Sequence, residues 1–187
     1  PLDSMVQQHG SPPKAIDYAC GAGHFLTELA LQLKPLVARH KPDASLNEYR
    51  RAIYGIEKEY RLCKVAKVSA FMYGQQEINI CYGDALVNQH AAFTGIQDSS
   101  FDILVANPPY SVRGFLETLP EKDRQAYKLA DSINELETAN SIEAFFIERA
   151  KQLLRTGGVA AIVLPSSILS NGSSIYIRTR EILIQYF

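Results

Sequence analysis

Nowhere in the 187 residues does an apolar run approach the roughly 20 residues that cross a bilayer. No membrane-spanning helix is expected. The opening PLDSMVQQHGSPPK lacks a basic stretch followed by an apolar one, which argues against a secretory signal. Cysteine is scarce. Cys20, Cys63 and Cys81 are scattered, their number is odd, and no C-x-x-C pair occurs. A disulfide framework and a zinc site are therefore not expected, and a reducing cytoplasm fits best. The four histidines do not cluster, so no metal ion is expected.

Positive charge is also in short supply. Lys and Arg total 19 against 20 Asp and Glu, for a net charge of −1. A stand-alone nucleic-acid binder usually carries a basic surplus, because phosphate contacts dominate its affinity. If the substrate is nucleic acid, most of the grip must come from outside these residues. Two phosphate motifs are missing too. No G-x-x-x-x-G-K-[ST] occurs, which excludes a P-loop. A dinucleotide fingerprint needs a glycine at position 26, where Leu26 stands.

What is present points to one globular domain over 1–187, with 47% hydrophobic and 21% charged residues. Short apolar runs alternate with amphipathic ones. Strands are expected at 15–20, 52–57, 78–83, 101–107 and 158–165. Helices are expected at 21–39, 59–73, 141–154 and 174–186, with Thr156-Gly157-Gly158 stopping the third. The stretch 41–47 reads as a polar connection. Residues 111–140 read as a long charged irregular region, equally a solvated excursion or a functional loop. This alternation predicts an α/β fold: an open, doubly wound, mostly parallel sheet of Rossmann-like type.

Such sheets bind ligands at the carboxyl ends of their strands. The first strand ends in DYACGAG, where Gly21 and Gly23 permit a tight turn and close backbone approach. The second ends in Glu57, whose carboxylate can accept both hydroxyls of a ribose. The third ends in Asp84-Ala85, where an acid can accept from an adenine amine. A glycine turn and two acids at successive strand ends suit an adenosine with a free ribose and no pyrophosphate. S-adenosylmethionine fits that description, and NAD fits it poorly.

The fourth strand should lie beside the first and end in Asn107-Pro108-Pro109-Tyr110. The prolines lock the backbone. The Asn107 amide oxygen and the Pro108 carbonyl offer two acceptors to an exocyclic amine, localising its lone pair. The Tyr110 ring can stack on a flipped base.

NPPY, preceded in order by DYACGAG, GIE and GDAL, resembles the N6-adenine DNA methyltransferases of the γ arrangement. Within these it is most similar to modification subunits of type I restriction–modification systems and to methylase parts of fused restriction–modification enzymes. SIEAFFIERAKQLLRTGGVAAIVLPSSIL is also similar to theirs, and the likeness runs over roughly 15–187. The resemblance implies that Asp17, Ala19, Cys20, Gly21 and Gly23 border the methionine part of S-adenosylmethionine. It implies that Glu57 takes the ribose, that Asp84 and Ala85 border the adenine, that Asn107 also borders the cofactor, and that Asn107, Pro108, Pro109 and Tyr110 hold the target base. Glu143 and Phe146 would help shape the pocket. The implied partners are DNA, a specificity subunit or fused recognition domain, and a restriction subunit or domain.

The family usually carries a further cofactor-binding segment before the glycine turn, later strands and a target-recognition region. The chain is therefore expected to be the central catalytic part of a longer protein. Two other readings stand beside this one. One is amino methylation of RNA or of a protein glutamine, since those enzymes also use NPPY-like turns. The other is a non-catalytic cofactor-binding assembly module. A cytosine-C5 enzyme needs a nucleophilic Cys after Pro, and no cysteine here follows one.

Overall fold

A computed structural model describes residues 2–8, 10–75, 79–87, 95–133 and 139–187. Five parallel strands form one sheet: β1 Ala15–Asp17, β2 Ile53–Glu57, β3 Asn79–Tyr82, β4 Phe101–Ala106 and β5 Leu154–Ile162. Their order is β3-β2-β1-β4-β5. The chain thus starts near the middle of the sheet, builds outward one way, then returns to the other side of β1. The expected neighbour relation holds: Ala15 pairs with Ile103 and Ile16 with Leu104.

Successive side chains along a strand point to opposite faces. Ile16, Ile56, Cys81 and Leu104 enter one core, while Ala15, Ile53, Ile80 and Ile103 enter the other. The second core is covered by α1 (Leu2–Gln8), α2 (His24–His40), α3 (Leu46–Arg51) and α4 (Tyr60–Met72). The first is covered by α6 (Ile142–Leu153) and α8 (Ser174–Tyr186). Helices therefore lie on both faces, as expected for a doubly wound sheet. No helix among the described residues is long and apolar enough to cross a membrane.

Several local expectations need correction. The helix expected from position 21 begins at His24, because Gly21 and Gly23 adopt left-handed conformations with φ of 54° and 86°. The polar connection 41–47 runs into α3, whose buried Tyr49 anchors it. Position 78 of the expected third strand lies outside the described residues. The Thr156-Gly157-Gly158 stop is not a helix stop. Helix α6 ends at Leu153, and Leu154 is already extended, with φ −73° and ψ 138°. The glycines lie inside β5, where Phe101 pairs with Leu154 but Ile103 pairs with Val159. Residues between those pairings bulge from the ladder, and Gly157 supplies the positive φ of 78°.

The region 111–140 is not a solvated excursion where it is described. It carries two 3₁₀ turns, Phe115–Thr118 and Lys128–Ser132, and a short helix α5, Glu121–Arg124. Phe115, Leu116, Leu119, Tyr127 and Leu129 are buried in the core that α6 covers. Its charged spelling hid apolar residues spaced one turn apart. A further short helix, α7 (Ser167–Ser170), precedes α8.

Candidate active site

The carboxyl ends of β1 to β4 meet at two adjoining cavities of about 310 and 250 Å³. Ala19, Gly21 and Asn107 line both, so the two form one continuous groove with Asn107 at the join.

The glycine turn is held by acids. Asp17 ends β1, and its Oδ1 accepts the Ala19 N–H at 3.0 Å. Asp17 is buried, and that burial pushes its carboxyl up to about 7; the Ala19 N–H opposes the shift and the Glu57 charge adds to it. Gly21 turns its N–H onto Glu57 Oε2 at 2.7 Å. Glu57 Oε1 accepts the Glu59 N–H, also at 2.7 Å. The interval between Gly23 and Glu57 is filled by α2 and α3, and the turn and the acid still meet. Gly55 eases this approach: a Cβ there would lie 2.7 Å from Leu26 Cδ1 and 3.1 Å from Cys20 Sγ, so a side chain would force these to shift. Burial pushes the Cys20 thiol well up, which keeps it neutral.

The larger cavity runs from Glu57 and Lys58 past Asp84 and Ala85 to Pro109 and Phe146. Asp84 Oδ1 accepts the Leu86 N–H at 3.0 Å, and its Oδ2 pairs with Lys58 Nζ at 2.7 Å. Two long-range bonds hold this turn from the far side. Arg149 Nε donates to the Ala85 carbonyl at 3.0 Å, and the Tyr127 hydroxyl donates to the Leu86 carbonyl at 2.9 Å. The smaller cavity is bounded by Asp17, Cys20 and the first residues of α2. No side chain caps that helix end, so its N–H groups and positive dipole end are available to an anion.

This donor set fits S-adenosylmethionine. An apolar slot edged by two acids suits the nucleoside. A buried carboxyl beside an uncapped helix start suits an amino-acid zwitterion. Among the predicted residues, Asp17, Ala19, Cys20, Gly21, Glu57, Asp84, Ala85, Asn107 and Pro109 line the joined cavities. Gly23 does not; it is buried under α4, where a Cβ would lie 3.2 Å from Ala66 Cβ. Pro108 is buried as well, and Tyr110 stands outside the groove wall.

At the corner, the Tyr110 hydroxyl donates toward two acceptors, Asn107 Oδ1 at 2.7 Å and the Val163 carbonyl at 2.9 Å. Nothing in the sequence foretells the contact to Asn107 Oδ1. It leaves a lone pair on that oxygen, since an amide oxygen accepts twice. Asn107 and Tyr110 remain exposed. After Tyr110 the chain turns sharply: Ser111 has φ 53°, unusual for a residue with a side chain. Its N–H donates to Glu143 Oε2 at 3.0 Å, and Tyr176 donates its hydroxyl to Glu143 Oε1 at 2.5 Å. Burial, followed by the bond to Glu143, raises the Tyr176 hydroxyl pKa. Phe146 lines the groove, and its carbonyl accepts the Tyr18 hydroxyl at 3.0 Å. Lys58, Ser111, Arg149 and Tyr176 were missed from sequence. Lys58 alone had a local signal, its place directly after Glu57.

A parallel sheet of this order, with the groove at its topological switch, matches the S-adenosylmethionine-dependent methyltransferase fold. The chain belongs to the N-6 DNA Methylase family, whose profile matches residues 4–185. It is 22% identical over 207 aligned residues to the type II restriction enzyme and methyltransferase RM.Eco57I of Escherichia coli, covering 83% of this chain and 20% of that protein. It is 24% identical over 172 residues to the type II restriction enzyme and methyltransferase RM.BcgI of Heyndrickxia coagulans, covering 91% and 23%. Among solved structures, the type I restriction-modification methyltransferase subunit of Streptococcus thermophilus superposes with a TM-score of 0.62 at 18% identity, over 98% of this chain and 37% of that one. The chain thus spans about a fifth of the curated relatives' length.

Proposed function

We propose that this chain is a single catalytic domain that methylates the N6 amine of adenine in DNA within a restriction–modification system. The observation that carries the reading is the Asn107-Pro108-Pro109 corner, which opens where the two cavities join. Family membership and the restriction-modification relatives support it.

S-adenosylmethionine, when bound, supplies an electrophilic methyl on a sulfonium sulfur. Every other contribution comes from the chain. Glu57 and Asp84 hold the ribose and the adenine amine, while Asp17 and the start of α2 hold the amino-acid end. Asn107 Oδ1 and the Pro108 carbonyl each accept one N–H of the target amine. That draws its lone pair out of the ring and aims it at the join of the cavities. The amine proton leaves after attack, so no side chain has to act as a base beforehand. Tyr110 stacks on the flipped base. Because the sequence has no basic surplus, DNA is gripped mainly by a specificity subunit or fused recognition domain, and a restriction subunit or domain completes the system. The setting is the cytoplasm.

The test is transfer of a tritiated methyl group to unmethylated DNA, to RNA and to protein by the native protein that contains this chain. Label in DNA adenine supports the reading. Label only in RNA or protein redirects it to those substrates. Cofactor binding without transfer to any of them points to an assembly module.

A further inference from the structure

We propose that Glu143 is a positioning residue that holds Ser111 in its left-handed conformation, and so sets the geometry of the Asn107–Tyr110 corner. This rests on the function proposed above. Glu143 is fully buried at the first turn of α6. A buried carboxylate needs partners, and this one spends an oxygen on each of two. Oε2 takes the Ser111 N–H and Oε1 takes the Tyr176 hydroxyl of α8. Ser111 follows the corner directly, and its φ of 53° costs free energy for any residue with a Cβ. Such a conformation persists only where the surroundings enforce it. A charge-assisted bond to a carboxylate locked in the core is a strong means of enforcement.

The turn at Ser111 determines where the chain leaves Tyr110. With that exit fixed, the Tyr110 hydroxyl reaches both Asn107 Oδ1 and the Val163 carbonyl. Released, Ser111 relaxes to negative φ, and the Asn107 amide loses the contact that orients it. Tyr176 acts one step further back by fixing the carboxylate. Glu143 touches neither cofactor nor base in this account; it acts through Ser111.

The decisive measurement is a double-mutant cycle in the native protein. Glu143→Ala should lower kcat for DNA methylation by about 30-fold while cofactor Kd moves less than about 2-fold. Glycine adopts positive φ at no steric cost. In a Ser111→Gly background, therefore, Glu143→Ala should cost only about 3-fold. Glu143→Gln, which keeps one acceptor, should fall between, and Tyr176→Phe should lose about 3-fold. An equal loss in both backgrounds would overturn the proposal and leave Glu143 a mere support of the core. If the native protein methylates nothing, the function reading fails separately, and hydrogen exchange decides the positioning claim. Glu143→Ala should speed exchange of the 110–112 amides while α6 stays protected; unchanged exchange there would refute it.

Discussion

The two ends of the groove are built by different means. At the cofactor end each acid first caps its own turn over a short span: Ala19 bonds Asp17, Leu86 bonds Asp84, and Glu59 bonds Glu57, each two residues apart, and longer bonds from Gly21, Tyr127 and Arg149 brace those turns. The corner end is held by buried side chains that reach far along the chain. Glu143 bonds a backbone amide 32 residues away, and Tyr18 reaches a carbonyl 128 residues away. The helices differ in the same way. Helix α4 buries only Cys63, Ala66 and Ala70 and leaves the rest of its surface to solvent. Helix α6 is buried almost all round, and its Glu143, Glu148 and Arg149 each bond loop backbone. One end is built on local turns that tertiary bonds then brace. The other is an assembly that exists only in the finished fold.

That contrast predicts separable phenotypes. The largest effect is expected for Asn107→Ala. Methyl transfer should fall by about 10³-fold, roughly 4 kcal/mol of transition-state stabilisation, while calorimetry gives a cofactor Kd within about 3-fold of wild type. Equal loss of both would mean that the two ends are not distinct. Asp84→Ala should do the reverse. Cofactor binding should weaken by about 10- to 30-fold, with kcat at saturating cofactor little changed. An unaltered Kd would remove Asp84 from the nucleoside site.

A pH titration sharpens the comparison within the cofactor end. The Asp17 carboxyl is raised from 3.8 to about 7 chiefly by burial, so the ligand-free fold favours its neutral form. Its contribution to folding stability is fully present below the ordinary carboxylate pKa and is lost as pH rises through about 7. A cofactor ammonium prefers the ionised carboxylate, so affinity runs the other way. It should climb by up to about tenfold per pH unit toward 7 and then level off. Asp17→Asn should flatten that slope; a slope that survives the substitution belongs to another group. The smallest effect is expected for Lys58→Met. This keeps the stem, frees Asp84 Oδ2, and should change cofactor Kd by less than about 3-fold, because the Lys58 side chain is largely exposed. A larger change would make Lys58 a true part of the nucleoside site.

The same contrast explains what was legible in the sequence. Strand periodicity, the glycine turn and the acids at strand ends are local features, and each maps onto the structure within a few residues. Asn107-Pro108-Pro109 was visible because proline is unambiguous in its backbone demands. Ser111 carried no signal, since serine does not announce a positive φ. Arg149 and Tyr176 read as ordinary members of amphipathic helices, and Glu143 was marked by the resemblance as shaping the pocket but with no partner named. Only the packing of α6 against α8 and the 111–140 segment makes them internal. The Thr156-Gly157-Gly158 misreading has the same origin. Those glycines serve a bulge against β4, and a pairing between distant strands leaves no mark on local spelling.

The passage of α6 into β5 with no intervening loop has a mechanical result. Glu143, near the start of α6, grips Ser111, and the Val163 carbonyl, just past the end of β5, receives Tyr110. Helix and strand run in opposite senses and join at Leu153–Leu154. They brace one four-residue stretch, Asn107 to Tyr110, from its two sides. Two consecutive elements thus serve one corner, so a change in the length of either would move both of its supports.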